Sequence, residues 1–104
     1  MINVVNKKNY IGSGEYIGRG SPLGNPFKMM GESEREVVIK RYKQWLWEQI
    51  NKETEQKKEI MRLARKYKKE GVLVLICYCA PKSCHGSVIK AAIEWIVREG
   101  SEKA

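Results

Sequence analysis

Two short segments hold most of the residues able to do chemistry. Ile17-Gly18-Arg19-Gly20-Ser21-Pro22-Leu23-Gly24-Asn25-Pro26-Phe27 gathers three of the nine glycines and two of the three prolines around one arginine. Glycine permits positive φ and close backbone approach, whereas each proline fixes its own φ and biases its predecessor toward extended geometry. That composition predicts a rigid, shaped loop with accessible N–H groups. Between a strand and a helix, such groups beside an arginine favour an anion, most often a phosphate. The plainer alternative is an Ω-like connection whose glycines and prolines only turn the chain. Arg19, Ser21 and Asn25 share the segment with few spare apolar positions, which keeps the binding reading level with the structural one.

The second segment, Cys77-Tyr78-Cys79-Ala80-Pro81-Lys82-Ser83-Cys84-His85-Gly86, contains every cysteine and the only histidine. So many soft ligands in one turn suggest zinc, but structural zinc sites usually bring ligand pairs from separate segments, and no second pair exists here. A metal-free protein is expected. Cys77 reads as a buried small hydrophobe at a strand end. Cys79 and Cys84 flank Pro81 before a helix, where the helix N-terminus and Lys82 would lower a thiol pKa and make either sulfur nucleophilic. His85 is open to two readings, a general acid/base or a hydrogen-bond partner of a ligand.

The elements that must position these segments follow from hydrophobic patterning. Ile2–Val5 and Tyr16–Gly18 read as short strands, the second entered through Gly12-Ser13-Gly14. Ser33 with Glu36 matches a capping box, and Val38, Ile39, Tyr42, Trp45, Leu46 and Ile50 trace an amphipathic helix over about 34–50. Ile60, Leu63, Ala64 and Tyr67 mark a second helix over 54–69, closed by Gly71, either as a hairpin partner of the first or as its bent continuation. Val72–Cys77 is a continuous apolar run, the pattern of a central strand covered on both faces. Ser87–Glu99 carries a broad apolar stripe and predicts a deeply buried helix. The expected fold is α/β, a small mostly parallel sheet flanked by helices in a single domain over 1–104, with a charged helical elaboration at about 51–70. Ligands in such sheets bind beyond the carboxyl ends of the strands. The two strand-to-helix loops, Gly18–Glu32 and Tyr78–Ser83, are the two unusual segments, so they are expected to converge on one pocket.

Composition narrows the function classes. The 104 residues suffice for one core of modest size. No run approaches the roughly 18 apolar residues of a membrane span. The N-terminal segment lacks a signal-peptide pattern and the clustered cysteines form no disulfide framework, which together predict a cytoplasmic protein. The net charge of +8 invites nucleic acid, but the excess falls mainly in residues 28–70, with thirteen Lys/Arg against eight Glu. Lys58, Arg62, Arg65 and Lys69 recur at helical spacing as one basic stripe without stacking aromatics. Nucleic-acid binding is therefore expected to be at most weak and nonspecific.

IGRGSPLGNPF, the helix opening Glu34-Arg35-Glu36 with Tyr42 beyond it, and LICYCAPKSCHGSVI together resemble the domain of unknown function 4326 family, frequent in tailed phages and bacteria. The resemblance covers nearly the whole chain, the long charged helix standing where the family's usual connection is short. It implies that Arg19, Ser21, Gly24, Asn25, Arg35, Cys79, Pro81, His85 and Gly86 form one ligand-binding site, with Leu23 carried in the same segment. Arg19 and Arg35 would meet phosphates, and Ser21 and Asn25 would fix ribose or base edges. The ligand class that fits is a phosphorylated, nucleotide-derived small molecule of the ADP-ribose type, bound without a cofactor. Sequestration of a nucleotide immune signal by a phage anti-defence protein is the leading functional expectation. The alternatives are a hydrolase or glycosyl-bond-cleaving enzyme using His85 or a cysteine, and a basic nucleic-acid-binding protein. Carboxylates stand only at the loop margins, Glu15 and Glu32, which ranks binding above catalysis. The charged helix is available to a partner or to a second copy in a homo-oligomer.

Overall fold

Three parallel strands and three helices make an α/β fold. The computed structural model describes residues 1–27, 31–78 and 85–99. The strands are β1 (Ile2–Asn6), β2 (Glu15–Tyr16) and β3 (Leu73–Cys77), and the helices α1 (Arg35–Ile50), α2 (Glu55–Glu70) and α3 (His85–Glu99). The last strand in sequence is the middle one in space, giving the order β1-β3-β2 with both pairings parallel. Ile2 lies opposite Leu73 and Asn6 opposite Cys77, while Tyr16 pairs with Ile76.

Burial decides which face of the sheet carries the helices. Leu73, Leu75 and Cys77 are buried and share the core with Ile2 and with residues of all three helices, including Leu46, Ile60, Leu63, Ile89 and Ile93. Val74 and Ile76, which point the other way, are half-buried. The expectation of a strand covered on both faces is thus corrected: its apolar run reflects a helical layer on one side and only partial cover, from Gly14, on the other. A Cβ at Gly14 would stand 2.9 Å from the Ile76 side chain and 3.0 Å from that of Val74.

The helices end where local chemistry dictates. The Ser33–Glu36 capping box does not form. A short 3-10 turn over Glu32–Glu34 precedes α1, and the residue at the cap, Glu34, is in αR geometry with no side-chain hydrogen bond to the helix. The two central helices are separate. Thr54 caps α2, its Oγ1 accepting from Lys57 N (3.1 Å) while donating to Gln49 O at the end of α1 (3.0 Å). Gly71, at φ 76°, closes α2 in the left-handed conformation that favours glycine. Helix α2 is no mere appendage, since Ile60, Leu63 and Ala64 are fully buried. Helix α3 starts two residues earlier than expected, so His85 and Gly86 belong to its first turn.

Candidate functional site

The loop after β2 is folded by its own backbone. Ser21 N–H (3.1 Å) and Ser21 Oγ (2.7 Å) both donate to Gly18 O, and Gly24 N–H donates to Ser21 O at 3.0 Å. Gly20 has φ 95°, the positive value that a type II turn over Gly18–Ser21 requires at its third position. Arg19 is therefore the second residue of a tight turn. Asn25 Oδ1 accepts from Phe27 N–H at 2.8 Å, an Asx turn that starts the exit from the loop. The expectation of many accessible N–H groups is corrected here: those of Ser21, Gly24 and Phe27 are spent on these turns.

Two buried polar side chains then fasten the loop to the helices. His85 Nε2 donates to Ile17 O at 2.7 Å, and Tyr42 Oη donates to Leu23 O at 2.7 Å. The two rings pack edge to face with centroids 5.2 Å apart. Tyr42 and Leu23 are fully buried and His85 is 6% exposed. Each side chain pairs a loop carbonyl that would otherwise be buried without a partner, a loss of about 1–3 kcal/mol. The first turn of α3 is thus joined to the chain two residues before Arg19, while the rest of the loop between β3 and α3, residues 79–84, lies outside the described residues.

The proposed site residues divide into distinct roles in this arrangement. Leu23 is core, not surface. A Cβ at Gly24 would fall 2.7 Å from Gly18 O and 3.0 Å from Arg19 Cα, so the absent side chain makes room for the loop's own backbone rather than for a ligand. Gly86 is buried in the first turn of α3. Arg35, half-buried, opens α1. Arg19 is exposed and has no hydrogen bond or ion pair with any described residue, and open space surrounds the Cβ position of Gly20 beside it. Cys79, Pro81 and Cys84 lie outside the described residues. Cys77 is fully buried at the end of β3. Among the described residues no three His, Cys, Asp or Glu side chains cluster as metal ligands would.

The other strong electrostatic feature lies on the far side of β2. Glu15 receives Arg62 Nη2 at 2.7 Å and Lys66 Nζ at 2.6 Å, and Arg62 also holds Glu59 at 2.7 Å. The hydrogen bonds from Arg62 and then from Lys66 hold the Glu15 carboxyl below the ordinary value of 4.5. The basic stripe of α2 is corrected accordingly: Arg62 is committed to two carboxylates, and only part of the stripe remains as free charge. A cleft of about 130 Å³ beside this cluster, lined by Gly14, Glu15, Lys66, Val72 and Val74 among others, is smaller than the roughly 300 Å³ that small-molecule sites begin at.

One family model, that of a domain of unknown function (DUF4326), matches residues 2–95. The chain belongs to the DUF4326 family. No curated protein and no solved structure matches it. No helix among the described residues is long and apolar enough to cross a membrane. Tyr42 is the site residue whose role the sequence reading missed. It sits on the apolar stripe of α1, where a hydroxyl must find a partner, and that requirement was visible from its position.

Proposed function

We propose that this DUF4326 protein binds a phosphorylated, nucleotide-derived small molecule at the carboxyl end of its sheet, with Arg19 contacting the phosphate. One observation carries the reading. The loop is fixed by three short polar contacts, from Ser21, Tyr42 and His85, while the arginine at its apex is exposed and has no partner among the described residues. Rigidity of that kind lowers the entropic cost of binding, and an unpaired guanidinium offers a forked donor suited to phosphate oxygens. Ser21 keeps acceptor capacity only, because its proton goes to Gly18 O. Arg35 and the start of α3 complete the proposed rim.

Binding without turnover is favoured by the state of His85. Its Nε2–H is committed to Ile17 O in a buried contact, so the ring acts as a fastener of the loop. A protein that binds without turnover acts by sequestration, and the biological role we propose is removal of a nucleotide immune signal during phage infection. Calorimetry against cyclic dinucleotides, ADP-ribose isomers and common nucleotides tests the reading, with the ligand recovered after heat denaturation. An intact ligand is expected. A processed ligand would assign an enzyme, and binding of none would leave the loop as scaffold.

A further inference from the structure

At the carboxyl end of the sheet each strand delivers one side chain of the same kind of surface. Lys7 follows β1, Tyr16 ends β2 and Tyr78 follows β3. Tyr16 pairs with Ile76, two residues before Tyr78, so both tyrosines belong to the sheet face turned away from the helices. Their rings meet edge to face with centroids 6.2 Å apart, and Lys7 Nζ stands 5.8 Å from the Tyr16 centroid.

The corner is held in place by the backbone. Asn6 Nδ2 donates to Tyr78 O at 3.1 Å and Asn6 Oδ1 accepts from Lys8 N–H at 2.9 Å, while Lys7 N–H donates to Cys77 O at 2.7 Å. Asn6 therefore fixes both chain segments from which Lys7 and Tyr78 project. Yet Tyr78 is 51% and Tyr16 36% exposed, and neither phenol oxygen has a hydrogen bond among the described residues. The Tyr16 ring also rests directly on Gly18, where a Cβ would collide with it, so the aromatic corner adjoins the turn that presents Arg19.

We propose that Tyr16, Tyr78 and Lys7 form an aromatic subsite that takes the planar base of the nucleotide whose phosphate Arg19 holds. The inference rests on reading Arg19 as an anion contact and adds a preference for a ring beyond the phosphate. Exposed tyrosines give a base a π-face, and stacking of that kind is sequence-tolerant and strong relative to a surface contact. Lys7 keeps the corner positive, matching an anionic ligand.

The test uses adenosine 5′-monophosphate, ribose 5-phosphate and adenosine as probes, titrated by calorimetry into the wild type, Tyr78→Ala and Tyr78→Phe. The monophosphate should bind about ten- to hundredfold tighter than ribose 5-phosphate, Tyr78→Ala should remove most of that advantage, and Tyr78→Phe should keep it. Thermal melting checks that the exposed substitutions leave the fold intact. Equal binding of the monophosphate and ribose 5-phosphate by the wild type overturns the aromatic subsite and leaves the Arg19 reading standing. An advantage that survives Tyr78→Ala also overturns it. Adenosine bound as tightly as its monophosphate supports the subsite and overturns the phosphate contact, and no binding of any probe overturns both.

Discussion

Arg19 and Arg62 flank the same short strand and differ in availability. Arg62, on α2, is shared between Glu15 and Glu59, both within 2.7 Å. Arg19, in the turn after β2, has no partner among the described residues. Around Arg62 the side chains satisfy one another at the surface, and the cluster fastens α2 to the edge strand. Around Arg19 the backbone is satisfied from beneath by Ser21, Tyr42 and His85, which leaves the charge itself unspent. Charge density along a sequence therefore says little about charge available for a ligand. The basic helix is the richer region by count and the loop the richer one by unspent charge.

The comparison breaks first at the anchors beneath the loop. Replacing Leu23 with Ala should cost about 2–5 kcal/mol, because a fully buried side chain leaves a cavity among rigid neighbours. Denaturant unfolding measures it, and a cost below about 1 kcal/mol would show that the loop is only laid against the core. Tyr42→Phe keeps the ring and strands the Leu23 carbonyl, for a loss of about 1–3 kcal/mol. Amide exchange of residues 18–27 should accelerate more than that of β3.

The Arg62 side of the comparison predicts a smaller, pH-dependent effect. The Glu15 pKa is lowered in the folded state, first by the Arg62 hydrogen bond and then by that from Lys66. Its stabilisation is therefore present above the ordinary carboxylate value of 4.5 and is lost as pH falls below that value through the depressed folded pKa. Because Arg62 is nearly half exposed, its pair with Glu15 should contribute only about 0.2–1 kcal/mol. Glu15→Gln should lower the melting temperature slightly at pH 7 and flatten the acid limb of the stability profile. An unchanged acid limb would mean that the cluster adds no net stability.

The helices, β3 as a strand and the closing glycine of α2 were legible because each depends on neighbours a few residues away. Gly71 needs only a helix before it, and the apolar run of β3 marks a buried strand wherever it sits. What the sequence hid depends on distant partners. Arg62 meets Glu15 across 47 positions, so of its two carboxylates only Glu59, three residues earlier on the helix, could be read locally. The same holds for His85, whose partner is a backbone carbonyl 68 residues away. Gly24 shows the same limit: a glycine in a tight loop can serve a ligand or the loop's own backbone, and that a Cβ there would fall 2.7 Å from Gly18 O is not legible in the sequence. The capping box failed because a 3-10 turn over Glu32–Glu34 moved the cap of α1 from Ser33 to Glu34.

The most direct measurement sets the two arginines against each other. Calorimetric titration of ADP into the wild type, Arg19→Ala and Arg62→Ala should show binding weakened about ten- to a hundredfold by the first substitution, with stability within about 0.5 kcal/mol of wild type. Arg62→Ala should lower stability modestly and leave affinity in place. Equal loss from both substitutions, or from Arg62→Ala alone, would contradict the account, because the charge that holds the anion would then lie on the helix face and not in the loop.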